Sequence, residues 1–287
     1  MADLESDVPS GAGAGVLVVV GTPIGNLGDL SPRAADALAS AAVIACEDTR
    51  RTGALLDAAG IAKRSMLVVN DHTEISMASR IIDRLAAGDT VALVSDAGMP
   101  TVSDPGADLV AAVLAAGHAV DVIPGPTAAT TALAASGLPS GRWVFEGFLP
   151  RKGADRTARL AALAGEERTV VLYEAPHRIA RTVADLAEVA GADRPVAVGR
   201  ELTKKFQEFR RGPVGVVAET IAAAEPRGEY VIILGGAAPP PAATDDDVLA
   251  AVEAARADGM STRDAVHAVA DAYRLSKRRV YDIATGA

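Results

Sequence analysis

The sequence holds a single cysteine, Cys46, so no disulfide can close within the chain and no cysteine-rich zinc site can be built. Cys46 ends the apolar run AAVIAC, where a buried, inert thiol is expected. The four histidines are equally unpromising as metal ligands, because no two share a ligand spacing. His118 and His267 read as structural or solvent-exposed, and His72 in NDHTE is open to either a structural or a cleft-facing role. No apolar run reaches the length of a membrane span. The segment MADLESDVPSGAGAG lacks the basic flank and apolar stretch of a signal peptide, so a cytoplasmic protein with no membrane partner is expected.

There is also no overall positive charge. The net formal charge of −9 argues at first against a nucleic-acid partner. The distribution changes that conclusion. Residues 1–149 carry 8 Lys and Arg against 17 Asp and Glu, whereas residues 150–211 carry 13 against 9. The middle third is therefore where a polyanion can dock, unless it is an ordinary solvated surface.

What is present is a chain of 287 residues, 49% hydrophobic, long enough for two cores. Short β-branched runs alternate with helical patterns. Strands are expected at Val16–Val20, Val43–Cys46, Met66–Val69, Val91–Ser95 and Ala119–Ile123. Helices are expected at Ser31–Ala39, Arg50–Ala59, Ile75–Ala87 and Ala107–Ala116. Such alternation implies βαβ units and a parallel sheet. A second α/β or mixed domain follows, with strands at Thr169–Tyr173, Val196–Arg200 and Tyr230–Leu234 and helices at Asp155–Leu163 and Ile179–Val189. The expected limits are a disordered terminus over 1–14, domains over 15–135 and 136–236, a Pro/Ala linker over 237–247, and a small helical tail over 248–287.

Three strands run into glycine- or proline-rich turns: GTPIGNLGD, SDAGMPTVSDPG and PGPTA. Ligands of parallel sheets bind outside the carboxyl ends of the strands, so these turns mark a site. The first has neither the G-x-G-x-x-G spacing of a dinucleotide fold nor the G-K-[ST] of a P-loop. In the second, Asp96 follows a buried strand directly and suits a cationic or hydroxylated ligand, while Asp104 before Pro105 reads as a helix cap. In the third, Thr127 reads as a cap or a contact.

These three turns, with EDTR (Glu47–Arg50), LYEAPHR (Leu172–Arg178) and GRELTKKFQE (Gly199–Glu208), occur in an order that resembles the tetrapyrrole methylase-like family of methyltransferases. The resemblance is greatest to the branch acting on a cytidine 2′-oxygen of 16S ribosomal RNA. It implies two α/β domains with an S-adenosylmethionine cleft between them, in a homodimer, with the small ribosomal subunit or its RNA as partner. It places cofactor contacts at Pro23, Ser95, Asp96, Ala97, Gly98, Val102, Ser103, Thr127, Ala128 and Tyr173. The corrin and porphyrin branches carry a Gly-Gly-Asp-Pro-type second turn; Ser95-Asp96-Ala97-Gly98 departs from it towards the RNA branch.

A ribose hydroxyl is a weak acid, so methylating it needs a proton acceptor or a cationic neighbour. The motif residues able to serve are Glu174, His177, Glu201 and Lys204. Lys204 and Lys205 are alternatively phosphate contacts. Arg50, Arg178 and Arg200 suit bidentate phosphate or carboxylate pairing. Lys277, Arg278 and Arg279 form a basic cluster in the tail, expected to bind RNA. Two other functions stay open: methylation of a small tetrapyrrole, and a non-catalytic RNA-binding ribosome-assembly factor.

Overall fold

The computed structural model describes residues 15–238 and 243–286. The expected disorder of 1–14 and the centre of the expected linker lie outside them. The described residues fall into two compact units, one ending at Ala237 and one beginning at Ala238.

In the larger unit the first sheet takes strands β1 (Val16–Val20), β2 (Val43–Cys46), β3 (Ser65–Val68), β4 (Val91–Val94) and β5 (Ala119–Ile123), in the order β3-β2-β4-β1-β5. Every pairing is parallel. The sequence explains why. Alternate residues of each strand point to opposite faces, and apolar runs without alternation must be covered on both. Leu17 and Val19 pack on α3 (Glu74–Ala86) and α4 (Ala107–Ala115) through Ile81, Leu85 and Leu109. Val18 and Val20 pack on α1 (Pro32–Ser40) and α2 (Thr49–Ala58) through Ala34, Leu38 and Leu56. Cys46 is fully buried there, and burial raises its thiol pKa.

One expectation fails at α4. Asp104 does not cap it; the N-cap is Gly106, with no side-chain cap. The backbone N–H of Leu109 instead donates to the buried carboxylate of Glu74, 2.8 Å away on α3. Thr127 does cap α5 (Ala128–Ser136), accepting from Thr130 N at 3.2 Å.

The second sheet has the order β6-β7-β10-β8-β9, from β6 (Trp143–Phe148), β7 (Thr169–Glu174), β8 (Pro195–Arg200), β9 (Glu208–Pro213) and β10 (Tyr230–Leu234). It is mixed: β6 and β7 are parallel, while β10 is antiparallel to both neighbours. One face carries α6 (Ala154–Ala164), α7 (Ile179–Ala190) and α8 (Val214–Ala222). The other receives α5, whose Ala129, Ala132 and Leu133 pack against Val171, Ala197 and Val231. Neither β9 nor α8 was expected. Strand β9 reads EFRRGP, too charged for a hydrophobic pattern, and it forms an edge, where charge is favoured because it discourages further strand pairing.

The smaller unit folds on its own core. Helices α9 (Asp245–Ala257), α10 (Thr262–Tyr273) and α11 (Lys277–Thr285) enclose Val248, Val252, Val266, Val269 and Val280. Each begins at a Ser or Thr cap: Thr244, Ser261 and Ser276. Asp245, Asp246 and Asp247, placed by sequence in the linker, are therefore the first turn of α9, where acidic residues suit the helix dipole.

Arg194 is the polar anchor of the second sheet. Its buried guanidinium donates to four backbone carbonyls, those of Leu163, Ala164, Glu166 and Gly235, at 2.6–3.2 Å. Replacement by methionine keeps the stem but orphans these acceptors, so Arg194→Met should cost at least about 3 kcal/mol. Urea denaturation checks this, and a loss under about 1 kcal/mol would contradict it.

Candidate active-site cleft

The carboxyl edge of the first sheet is assembled by backbone contact. Gly21 after β1 meets Gly125 after β5 so closely that a Cβ on Gly21 would lie 2.5 Å from Gly125 Cα. Thr22 and Gly98 exchange two backbone hydrogen bonds, at 2.8 and 3.1 Å, tying the turn after β1 to the turn after β4. Gly98 sits at φ +87°, which a side chain would strain. Thr101 and Ser103 also adopt left-handed backbone, at φ +71° and +64°. Non-glycine residues in that region concentrate at functional sites.

Between this edge and the second sheet lies a cleft of about 530 Å³, within the range of small-molecule sites. Its first-sheet side is acidic. Glu47, Asp96 and Asp104 all line it, with Arg51 opposite Asp96 at 3.5 Å. Asp96 also accepts from the Asp48 backbone N–H at 3.1 Å. All three carboxyls titrate above their usual range. Burial is the main cause in each, reinforced for Glu47 by Asp96 and for Asp104 by Glu47. Asp104 is pushed up to about 6. Among the described residues no three His, Cys, Asp or Glu side chains converge as a metal site. Such crowding suits an organic cation, whose charge would relieve the mutual repulsion.

The second-sheet side supplies apolar and aromatic surface. Tyr173 is partly buried, its hydroxyl accepts from Ala129 N at 3.1 Å, and its ring meets Phe145 and Phe148 edge-on. Leu202, Tyr230 and Val231 complete this wall, with Glu229 at its margin.

Eight of the ten residues expected to contact the cofactor line the cleft: Asp96, Ala97, Gly98, Val102, Ser103, Thr127, Ala128 and Tyr173. Pro23 and Ser95 do not. Ser95 is buried behind the edge, its hydroxyl donating to Ala97 O at 3.3 Å.

Of the four proton-transfer candidates only Glu174 lines the cleft, and its carboxylate is fully engaged. It accepts from Ala175 N and the Thr182 hydroxyl and pairs with Arg178 at 3.1 Å. Lys204 lies between Glu201 and Glu229, at 3.0 and 2.7 Å. These carboxylates outweigh burial and hold Lys204 above the usual ammonium range; burial pushes Glu201 up, but Lys204 brings it below its usual value. His177 is exposed and outside the lining. None of Arg50, Arg178, Arg200 or Lys205 lines the cleft. Arg50 pairs with Asp48, Arg178 donates to Leu149 O, and Arg200 donates to Arg227 O. Lys205 is exposed, beside the ring of Phe206. Sequence reasoning missed Glu47, Arg51 and Phe148 as lining residues and assigned Asp104 to a cap. Glu47 and Arg51 do belong to or adjoin the EDTR motif, which was the available signal.

The family model of tetrapyrrole (corrin/porphyrin) methylases matches residues 16–218. The chain belongs to this family. Among its relatives, ribosomal RNA small subunit methyltransferase I of Xylella fastidiosa (strain Temecula1) is 50% identical over 76% of this chain and 81% of its own. The proteins of that name from Synechocystis and Mycobacterium tuberculosis are 40% and 44% identical, each over 94% of this chain and over 97% and 94% of their own. Among solved structures, cobalt precorrin-4 methyltransferase superposes with a TM-score of 0.59 at 19% identity, over 81% of this chain and 99% of that one. Uroporphyrin-III C-methyltransferase from Thermus thermophilus, complexed with S-adenosyl homocysteine, gives 0.54 at 20%, over 77% and 96%. At such identities these two establish the fold shared across the methylase family.

The raised pKa of Asp104 has a consequence for stability in this methylase. An unfolded aspartate ionises near 3.8. Between about pH 4 and 6 the folded chain therefore holds a proton the unfolded chain has lost, and stability falls as pH rises through that window. Above it the penalty is fully present, reduced by solvent screening because the carboxyl is only partly buried. Asp104→Asn should raise the melting temperature by several degrees at pH 7.5 and leave it unchanged near pH 3.5. Equal melting temperatures at pH 7.5 would show that the ionised carboxylate is not strained.

Proposed function

We propose that this chain transfers a methyl group from S-adenosylmethionine to the 2′-oxygen of a cytidine in the 16S RNA of the small ribosomal subunit. The observation that carries the reading is near-full-length identity of 40–44% to relatives named ribosomal RNA small subunit methyltransferase I. The motif resemblance of the Ser95–Gly106 turn to the RNA branch supports the same substrate. Domains over 15–135 and 136–236, one for each sheet, supply the two walls.

The residues present fit the cofactor. S-adenosylmethionine, when bound, supplies a methyl group activated on a sulfonium. Asp96, with the backbone of Ala97 and Gly98, offers an anionic and close-approach surface to a cationic ligand. Val102, Ser103, Thr127 and Ala128 continue that surface, and Tyr173 adds an aromatic wall. Ser95 holds the edge from behind through its hydroxyl, and Pro23 follows Thr22 in the turn after β1. The chain's main task is then alignment, which in intramolecular models removes roughly 7–11 kcal/mol of barrier.

The departing hydroxyl proton needs an acceptor poised near neutrality. Lys204 is protonated between two carboxylates, Glu201 is paired, Glu174 is saturated, and His177 lies outside the lining. Asp104 lines the cleft with a pKa of about 6, so it is ionised at neutral pH yet basic enough to hold a proton. It suits the role better than the other four.

The basic cluster of Lys277, Arg278 and Arg279 serves RNA docking, with Arg50, Arg178, Arg200 and Lys205 as further candidate contacts. All three tail residues are exposed in the first turn of α11, where the helix dipole disfavours cations. Lys277 has no ion-pair partner among the described residues, and Arg278 and Arg279 pair only at the surface, with Asp282 at 3.9 Å and Asp245 at 3.3 Å, so all three can turn to phosphate. The enzyme works in the cytoplasm as a homodimer, which the family resemblance supports.

The deciding experiment is mass spectrometry of ribosomal RNA from cells lacking the gene. One ribose methyl group on a 16S cytidine should be missing and should return on complementation; an unchanged methylation pattern overturns the reading. Asp96→Ala should weaken S-adenosylmethionine binding by tenfold or more in calorimetry, the scale of about 1.5–3 kcal/mol for a lost charged hydrogen bond. Truncation after Ala237 should keep cofactor affinity but weaken RNA binding and flatten its salt dependence. Undiminished RNA affinity at moderate salt would remove the tail from docking.

A further inference from the structure

Phe148 is out of place for a structural aromatic. It is 53% exposed in a chain with only four phenylalanines, and it lines the cleft. Its ring stands 5.7 Å from that of Tyr173 at 64°, and about half of the residue stays exposed. The register of β6 against β7 shifts between Phe145 and Gly147, and irregularities of this kind re-aim the side chains that follow.

The segment after Phe148 is held with unusual firmness. Leu149 O accepts from Arg178 Nη2 at 2.6 Å, and Pro150 O accepts from Arg156 Nη1 at 3.1 Å. Both guanidinium groups are themselves fixed. Arg156 is 3% exposed and bound to Asp185 and the Thr182 hydroxyl. That hydroxyl donates to Glu174, which pairs with Arg178. Thus Arg178 and Arg156 clamp two successive carbonyls after Phe148, and Glu174 of the LYEAPHR motif braces Arg178 directly and Arg156 through the Thr182 hydroxyl. Immediately beyond the clamp, Arg151 and Lys152 are exposed and have no ion-pair partner among the described residues. The opposite wall is acidic, with Glu47, Asp96 and Asp104.

We propose that Phe148, Arg151 and Lys152 form a nucleotide-receiving rim, in which the phenyl ring stacks on one unpaired base of the RNA and the two cations hold its flanking phosphates. This rests on the RNA reading above and specifies how the substrate enters. A π-face stacks on any base, so the rim accepts an extruded nucleotide without reading its sequence. The acidic wall repels phosphate, which keeps the sugar–phosphate chain at the rim while a neutral base and its ribose enter. The clamp supplies rigidity, because stacking on a mobile ring would lose side-chain entropy on binding.

The test uses the full-length protein, S-adenosylhomocysteine, and small ribosomal subunits from cells lacking the gene. Phe148→Ala should weaken subunit binding in filter retention by about tenfold or more, the scale of one base–aromatic stack, and Phe148→Trp should restore it. Affinity for S-adenosylhomocysteine should stay within twofold, and the melting temperature should fall by no more than the few degrees that losing one edge-on contact with Tyr173 costs. The double variant Arg151→Ala, Lys152→Ala should weaken binding and reduce the slope of log affinity against log salt by about two. Full subunit affinity in Phe148→Ala would overturn the rim. So would a parallel loss of S-adenosylhomocysteine affinity, which would assign the ring to the cofactor. A change of oligomeric state with RNA binding intact would make Phe148 a contact between copies. If the wild-type chain binds no subunits, the RNA reading falls and this site with it.

Discussion

The cleft depends on a backbone-to-backbone approach between the turns after β1, β4 and β5. Gly21 and Gly125 touch main chain to main chain, and Thr22 and Gly98 are bridged by paired hydrogen bonds. No side chain can stand in that contact. Bringing three turns to one level fixes where Asp96 and Ala97 project, where α5 begins and where Asp104 lies. Parallel strands leave their carboxyl ends free for this purpose, and glycine permits the close approach.

A second constraint joins the sheets. Helix α5 leaves the first sheet and buries Ala129, Ala132 and Leu133 against the second, while the Ala129 N–H meets the Tyr173 hydroxyl. On the other side, the stem of Lys204 lies against Gly25 and its ammonium is held by Glu201 and Glu229. Ion pairs on a partly exposed lysine add little stability, so their main effect is to fix the position of the Glu201–Gln207 loop. The cleft walls are set by these contacts and not by the flexibility of a connecting segment.

Charge is arranged with equal economy. Carboxylates gather on one wall of the cleft, and burial, reinforced by the neighbouring Glu47, lifts the pKa of Asp104 to about 6. Exposed cations follow β6, at Arg151 and Lys152, and the smaller unit carries its own on the first turn of α11. A net charge of −9 is thus compatible with an RNA substrate, because the field acts locally within a Debye length of roughly 8–10 Å.

The sequence by itself determined the parallel sheet, because the β-branched runs at Val16–Val20 and Val43–Cys46 have no alternation and must be covered on both faces. It determined the position of the cleft edge, since glycine-rich turns follow β1, β4 and β5, and it determined the family through six ordered motifs. The charged edge strand β9 and helix α8 escaped it, because neither the charge of an edge nor a helix that follows it without a polar gap leaves a periodic signal. Only the tertiary structure decided the roles of individual motif residues. Glu174 and Arg178 read as chemistry yet form a clamp, because Glu174 meets the Thr182 hydroxyl of α7 and Arg178 meets the Leu149 carbonyl, 29 residues away in the chain. Asp104 read as a cap yet faces the cleft, because Glu74 from a different helix supplies the cap instead. A side chain's role is set by which distant groups satisfy it, and such pairings form only when the elements pack.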